Sequence, residues 1–178
     1  MFYRLNLTDY SLNEQEKRNS MDSAFGKAAE SLADLEFWTK HKIFSPRDIR
    51  RMGDVEYCSS ILLLCREGIV DQTKQETLDQ IYTDFVDEYI DKAKDLEKVC
   101  VAMNVIDDLI VTETESFSSK KVQMFTLFAL AFDFIDNKIK RGDFKSAVAD
   151  MVIKVDYDLT KELSLNDSNE MGFYDKIV

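Results

Sequence analysis

Residues Asp54–Cys65 read DVEYCSSILLLC, and wound at 3.6 residues per turn their apolar side chains cover most of the circumference. Such a helix has to be enclosed by other elements. Gly68, three residues past Cys65, supplies the left-handed stop on which helices commonly end. The pattern predicts a buried core helix over Val55–Glu67.

Immediately upstream, Ser45-Pro46 is a capping residue followed by proline at the first helical position, where a missing N–H costs nothing, so another helix starts there. Its charged stretch, Arg47, Asp48, Arg50 and Arg51, is expected to stay wet. Further back, Phe25, Ala28, Ala29, Leu32 and Leu35 recur at helical spacing and mark one face of a short helix whose end Phe37 and Trp38 seal. A break near Asn19–Asp22 separates it from a first helix beginning at Glu14. There Asn13 offers a capping oxygen, and Glu16, three residues on, reaches back to the cap's own N–H.

Downstream, Leu78, Ile81, Tyr82, Phe85 and Tyr89, then Leu96, Val99, Met103, Ile106 and Ile110, keep a helical period through a charged background between Asp71 and Val111. They read as one long helix or as two broken near Asp91. Thr112–Ser119 is a polar linker whose serines can cap the next element. Residues 122–139, VQMFTLFALAFDFIDNKI, are the most hydrophobic stretch, with Phe125, Phe128, Phe132, Ile135 and Ile139 in one stripe, and are expected at the centre of the bundle, ending at Gly142. Phe144, Ala147, Val148, Met151, Val155 and Leu159 mark a last amphipathic helix packed back onto it. The expected architecture is all-α: a single-domain irregular bundle of about six to eight helices over residues 1–163, with a frayed polar tail at 164–178.

Composition agrees with this class. A chain of 178 residues with 45% hydrophobic content can bury one substantial core and is short for two. Five glycines and one proline leave little turn chemistry, whereas helix formers recur throughout. The net charge of −11 repels a phosphate backbone, so autonomous nucleic-acid binding is not expected, although a local basic patch is compatible with it. Three cysteines, an odd number without metal-type spacing, lie in hydrophobic helical stretches and read as buried thiols of a cytoplasmic protein. The chain opens without the pattern of a signal peptide, and no run approaches the ~20 apolar residues of a membrane span, so neither secretion nor spanning is expected.

Residues that carry chemistry are sparse. The glycines are isolated and none precedes a Lys-Ser or Lys-Thr pair, which argues against a phosphate-cradling loop. His41, the one histidine, reads as a surface or packing residue rather than a ligand or base. Cys58 and Cys65 share a helix face and read as packing. The carboxylate pairs Asp107-Asp108, Asp87-Glu88, Asp156 with Asp158, and Glu113 with Glu115 read as solvated faces. Phe125, Phe128, Phe132 and Phe134 lack the interleaved basic residues of a base-stacking platform. No catalytic residue, metal ligand or cofactor is assigned.

Two stretches carry a resemblance. FYRLNLTDYSLNEQEKRN at residues 2–19 is similar to an F-x-R-L-N-x-T-x-x-x-L-N-x-Q-E-x-R-N signature, and IRRMGDVEYCSSILLLC at residues 49–65 is similar to the R-R-M-x-D-x-E-hydrophobic helix that follows it. TLDQIYTDFVDEY at residues 77–89 resembles the next amphipathic stretch. The chain thereby resembles the uncharacterised-function domain of GmrSD-type modification-dependent restriction enzymes, relatives of ParB/sulfiredoxin-like nucleases, well over Phe2–Tyr89 and weakly over Ala93–Lys154. It departs from that pattern at Asp9, where glycine is usual, and at Cys58-Ser59-Ser60, where arginine is frequent.

The resemblance implies a helical lobe that follows an upstream lobe bearing an Asp-Gly-Gln-Gln-Arg motif, which this chain lacks. It flags Arg4, Asn6, Asn13, Glu16, Arg18, Asn19, Arg51, Asp54 and Glu56 as family-motif or interface positions. Each also has a local structural reading: Asn13 with Glu16 as a capping box, Asp54 as cap of the Val55 helix, and Arg4 as partner of Glu16 or Glu56. The implied function is a non-catalytic scaffold acting with a nuclease-like lobe in cis or in trans, with an open patch around Arg4–Asn19 where that lobe sits. Two alternatives stay open: a lobe contributing residues to an NTP- or DNA-hydrolysing site, and an acidic helical inhibitor that mimics DNA.

Overall fold

A computed structural model describes residues 12–69, 75–109, 119–137, 140 and 142–154. Among them are nine helices and no strand: α1 Glu14–Asn19, α2 Ala24–Ala33, α3 Glu36–Lys40, α4 Pro46–Arg50, α5 Gly53–Glu67, α6 Gln75–Asp84, α7 Lys92–Leu109, α8 Lys121–Asn137 and α9 at 142–154. Their buried apolar side chains form one continuous core, so the protein is a single all-α domain. Arg4, Asn6, Asp9, the Thr112–Ser118 part of the linker, Ile139, Val155, Leu159 and the 164–178 tail lie outside the described residues.

Local chemistry sets most helix ends. Asn13 accepts from the Glu16 N–H at 2.7 Å while Glu16 accepts from the Asn13 N–H at 2.8 Å, closing the capping box of α1. Ser45 and Asp48 form the same box on α4, with Pro46 at its first position. Ser23 caps α2 by accepting from Gly26 N–H. Phe37 and Trp38 do seal α2, from a short helix of their own: the Trp38 indole donates to the Leu32 carbonyl at 2.7 Å, satisfying an acceptor at the end of α2.

The α5 helix starts earlier than its hydrophobic pattern suggests. Met52, at φ 56°, is its cap residue and lends no side-chain bond, so Asp54 is not the N-cap; instead its carboxylate accepts from the N–H of Val55 inside the first turn. At the other end Gly68, at φ 72°, closes the helix as expected.

The described part of the 71–111 stretch, residues 75–109, forms two helices with the break at residues 85–91. Phe85 and Val86 turn their carbonyls toward the N-terminal amides of Phe25 and Ala24, so the connection caps α2. Gly142, expected as the stop after α8, falls in the first turn of α9, whose buried stripe is Phe144, Val148 and Val152. Phe144 stacks on Phe134 of α8 at 4.5 Å between ring centres.

The centre of the bundle is α5, not α8. Val55, Cys58, Ser59 and the whole run Ile61–Cys65 are buried, and α1, α2, α4, α6, α7 and α8 all pack on this helix. Although richer in apolar residues, α8 buries Met124, Leu127, Phe128, Ala131 and Phe132, leaves Phe125, Ala129, Leu130, Phe134 and Ile135 partly covered, and has Val122 at its start 78% exposed. The share of apolar residues in a helix does not rank its burial when an outer helix carries excess aromatic rings; the number of sides occupied by neighbours does.

Candidate functional site

The flagged residues that fall within the described part converge where α1 meets α5 and α6. Asn13, besides capping α1, donates from its amide to the Arg51 carbonyl at 2.8 Å, and an Arg51 Nη lies 3.5 Å from Glu16. These contacts pin the start of α1 to the junction of α4 and α5. One turn on, Arg18 is 2% exposed, its Nε donating to Asp79 of α6 at 2.6 Å and its Nη1 lying 3.2 Å from the Gln15 side-chain oxygen and 3.5 Å from Glu56 of α5. One guanidinium thus ties three helices together.

A second, neutral chain of bonds runs beneath it. Gln15, wholly buried, donates to the Tyr82 hydroxyl of α6 at 2.8 Å, which also bonds the Ser59 hydroxyl of α5 at 2.8 Å. Ser59 in turn donates to the Val55 carbonyl. Burial raises the Tyr82 phenol above its ordinary value, with the Ser59 and Gln15 bonds opposing, so the hydroxyl stays protonated and the chain is neutral throughout.

Five flagged residues therefore fall into two clusters, Asn13 with Glu16 and Arg51 at the start of α1, and Arg18 with Glu56 one turn on. Asn19 is half-buried at a small recess beside Asp22, Ser23 and Lys27, and Asp54 serves only its own helix turn; neither joins. The expected pairing of Arg4 with Glu16 or Glu56 lies outside the described residues; among those described, Glu16 meets Arg51 and Glu56 meets Arg18. Of the stretch expected to carry an open patch, residues 4–11 lie outside the described residues; over the remainder Gln15 and Arg18 point inward while Leu12, Glu14 and Lys17 are exposed. Gln15, Ser59, Tyr82 and Asp79 complete the second cluster without having been flagged as site residues: Tyr82 was read as an apolar stripe position and Ser59 as a departure from the family pattern, although Gln15 stands in the opening signature three residues before Arg18.

A second polar centre lies across the bundle. His41 ends α3 with its ring 4.6 Å from Phe37 and its Nε2 2.7 Å from Asp107 of α7, whose other oxygen accepts from Lys40 at 2.8 Å. Burial works against the Asp107 charge, but the bonds from Lys40 and His41 outweigh it and hold the carboxyl below its ordinary value. His41 is thus a packing residue with a carboxylate partner, not a bare one. A cleft of about 650 Å³ opens beside this pair between α3 and α7, lined by Leu35, Phe37, Lys40, Cys100, Met103 and Asp107 among others. Cys100 is exposed, unlike buried Cys58 and Cys65. It sits two turns before Asp107, roughly 10 Å along α7.

Burial also pushes the Cys65 thiol up to about 11 and the Cys58 thiol well above its usual range, so neither is a ready nucleophile. Among the described residues no three His, Cys, Asp or Glu side chains converge as metal ligands, and no helix is long and apolar enough to cross a membrane.

Fold and site together define an all-α bundle held by an internal polar clamp. The chain matches no protein-family model, no curated protein and no solved structure.

Proposed function

We propose that this chain is a non-catalytic helical lobe that acts, in the cytoplasm, as the scaffold for a nuclease-like lobe supplied in cis or in trans. The observation that carries the reading is the clamp. Five residues shared with the restriction-associated signature, distant in sequence, meet in two clusters that tie α1 to α6 and to the α4–α5 junction. A motif used this way specifies how a lobe folds, and its described members hold helices together. Pairing of Asp48, Asp79, Asp95, Asp107 and Asp136 with cations on other elements favours this reading over DNA mimicry, which needs rows of unpaired carboxylates.

The test supplies a lobe bearing the Asp-Gly-Gln-Gln-Arg motif, either joined ahead of Met1 or as a separate chain, and follows nucleotide hydrolysis and cleavage of modified DNA. The expected result is turnover by the composite and none by this chain alone. In the composite, Glu56→Gln should lower the melting temperature while leaving turnover per folded molecule unchanged. Turnover by this chain alone, or failure of the two lobes to associate, ends the proposal.

A further inference from the structure

The helix α1 consists of Glu14, Gln15, Glu16, Lys17, Arg18 and Asn19, and none of its side chains is apolar. A helix polar on every side has no hydrophobic stripe to hold it, and six residues are fewer than the roughly 12 that a helix needs to persist alone in water. It forms because of where it sits. Gln15 and Arg18, three residues apart on its inner face, meet Tyr82 and Asp79, three residues apart on α6: Gln15 donates to the Tyr82 hydroxyl at 2.8 Å, and Arg18 Nε donates to the Asp79 carboxylate at 2.6 Å. The later residue of each pair meets the earlier of the other, so the two helices match at two points while running in opposite directions.

The seat does not need α1 in return. The Ser59 hydroxyl gives its hydrogen to the Val55 carbonyl, so in the 2.8 Å bond between the two hydroxyls Tyr82 donates to Ser59, and that bond outlasts the loss of Gln15. The Asp79 side chain is 52% exposed and keeps its hydration. The Ser20–Ser23 connection to α2 bends at Asp22, held at φ 54° in the left-handed region where a side chain crowds the backbone. Releasing α1 thus uncovers no apolar side chain of its own, strands no hydroxyl of the seat and frees a strained bend.

We propose that α1 is a displaceable strap, and that the Asp79–Tyr82 face of α6 beneath it binds a helical segment of a partner protein bearing a carboxamide and, three residues later, an arginine. The seated α1 displays that chemistry. Asp79 takes the guanidinium in a charge-assisted bond, and the Tyr82 oxygen, its hydrogen given to Ser59, accepts from the carboxamide. In its own chain α1 holds the place that the partner takes, so it lowers the partner's apparent affinity in proportion to the fraction of chains in which the strap is open. The inference does not depend on the nuclease-like lobe, because the face and its test belong to this chain alone.

The experiment titrates a synthetic peptide of residues 12–20, and the same peptide carrying Arg18→Ala, into the full chain as wild type and as the variants Arg18→Ala and Gln15→Ala. Each variant weakens the strap and leaves the face of α6 intact, so each should stay folded by circular dichroism and bind the unaltered peptide about tenfold or more tighter than wild type does. The peptide carrying Arg18→Ala should bind none of them, and Asp79→Asn added to either variant should remove the gain. Unfolding of the whole domain in either variant would show that α1 is no separable strap and would overturn the proposal. So would equal binding of the two peptides, no binding to the variants, or affinity indifferent to Asp79→Asn. Wild-type chain should remain monomeric in sedimentation at the same concentrations; a dimer that requires Arg18 would put the α1 of a second copy on this face in place of a partner protein, and would overturn it too.

Discussion

Two helices hold α5 from different sides, and they do so by opposite means. Across one side, α8 presents Met124, Leu127, Phe128, Ala131 and Phe132, all buried, with Phe128 set among Phe37, Trp38 and Phe132 at 5.7 to 6.0 Å between ring centres. Across the other, α1 presents Gln15 and Arg18, equally buried, with Gln15 bonded to Tyr82 and Arg18 bonded to Asp79 and Gln15 and paired with Glu56. Apolar contact is non-directional and tolerates rearrangement, whereas the polar clamp works in one geometry. The first supplies the bulk of the stability; the second selects where α1 sits.

The largest effect should come from the apolar side. Phe128→Ala removes a ring with no exposed surface and leaves a cavity among three aromatic neighbours, which should destabilise the domain by about 3–5 kcal/mol in denaturant titration. A loss below about 1 kcal/mol would mean that α8 is not anchored to the core.

Next comes the clamp. Arg18→Ala should destabilise by about 2–3 kcal/mol, less than an ion pair buried on both sides, because Asp79 and Glu56 keep contact with water and are not left stranded. Hydrogen exchange should show α1 opening first, with the α5–α8 contact still protected. Uniform loss of protection through the whole bundle would dissolve the distinction between the two sides.

Which of these features can be read from sequence follows from how far apart their parts lie. The boxes Asn13 with Glu16 and Ser45 with Asp48 span three residues, so spacing alone reveals them, and Gly68 needs only its own backbone. Gln15 meets Tyr82 67 residues away, Arg18 meets Asp79 at 61, and His41 meets Asp107 at 66; nothing local in any of these residues names its partner. The central position of α5 was illegible for a related reason. Periodicity reports how much of a helix is apolar, while the set of elements packed around it is settled by the rest of the chain. The split at residues 85–91 was half visible, since the aromatic period continues across it in Phe85 and Tyr89, and those rings pack against Phe25 instead of extending a helix.

A smaller effect separates the clamp from the ion pair that joins α4 to α8. Lys121 and Ser45 lower the Asp48 carboxyl from 3.8 to about 2, against the opposing effect of burial. A depressed folded value means that the unfolded chain binds the proton more readily. The contribution is therefore complete above 3.8 and drains away as the pH falls toward 2. Asp48→Asn should flatten the melting temperature against pH in that window and lower it modestly at neutrality, where the contribution is whole but screened by solvent. A slope indistinguishable from wild type would show that Asp48 stays solvated and that α4 is held by its own cap and its packing on α5.

The smallest effect is expected beside the second largest. Lys17 and Arg18 are consecutive cations on α1, and each has a carboxylate partner: Lys17 pairs with Glu14 at 2.7 Å, almost the distance between Arg18 and Asp79. By bond length the two are equivalent. The Lys17 side chain is 55% exposed, however, so its charge exchanges one well-solvated setting for another and spends side-chain entropy to do so. Lys17→Ala should therefore change stability by less than about 0.5 kcal/mol, and added salt should leave even that difference unmeasurable. Comparable losses from the two substitutions would mean that α1 is held by its net charge near Asp79 and Glu56, and that the inward geometry of Arg18 contributes nothing of its own.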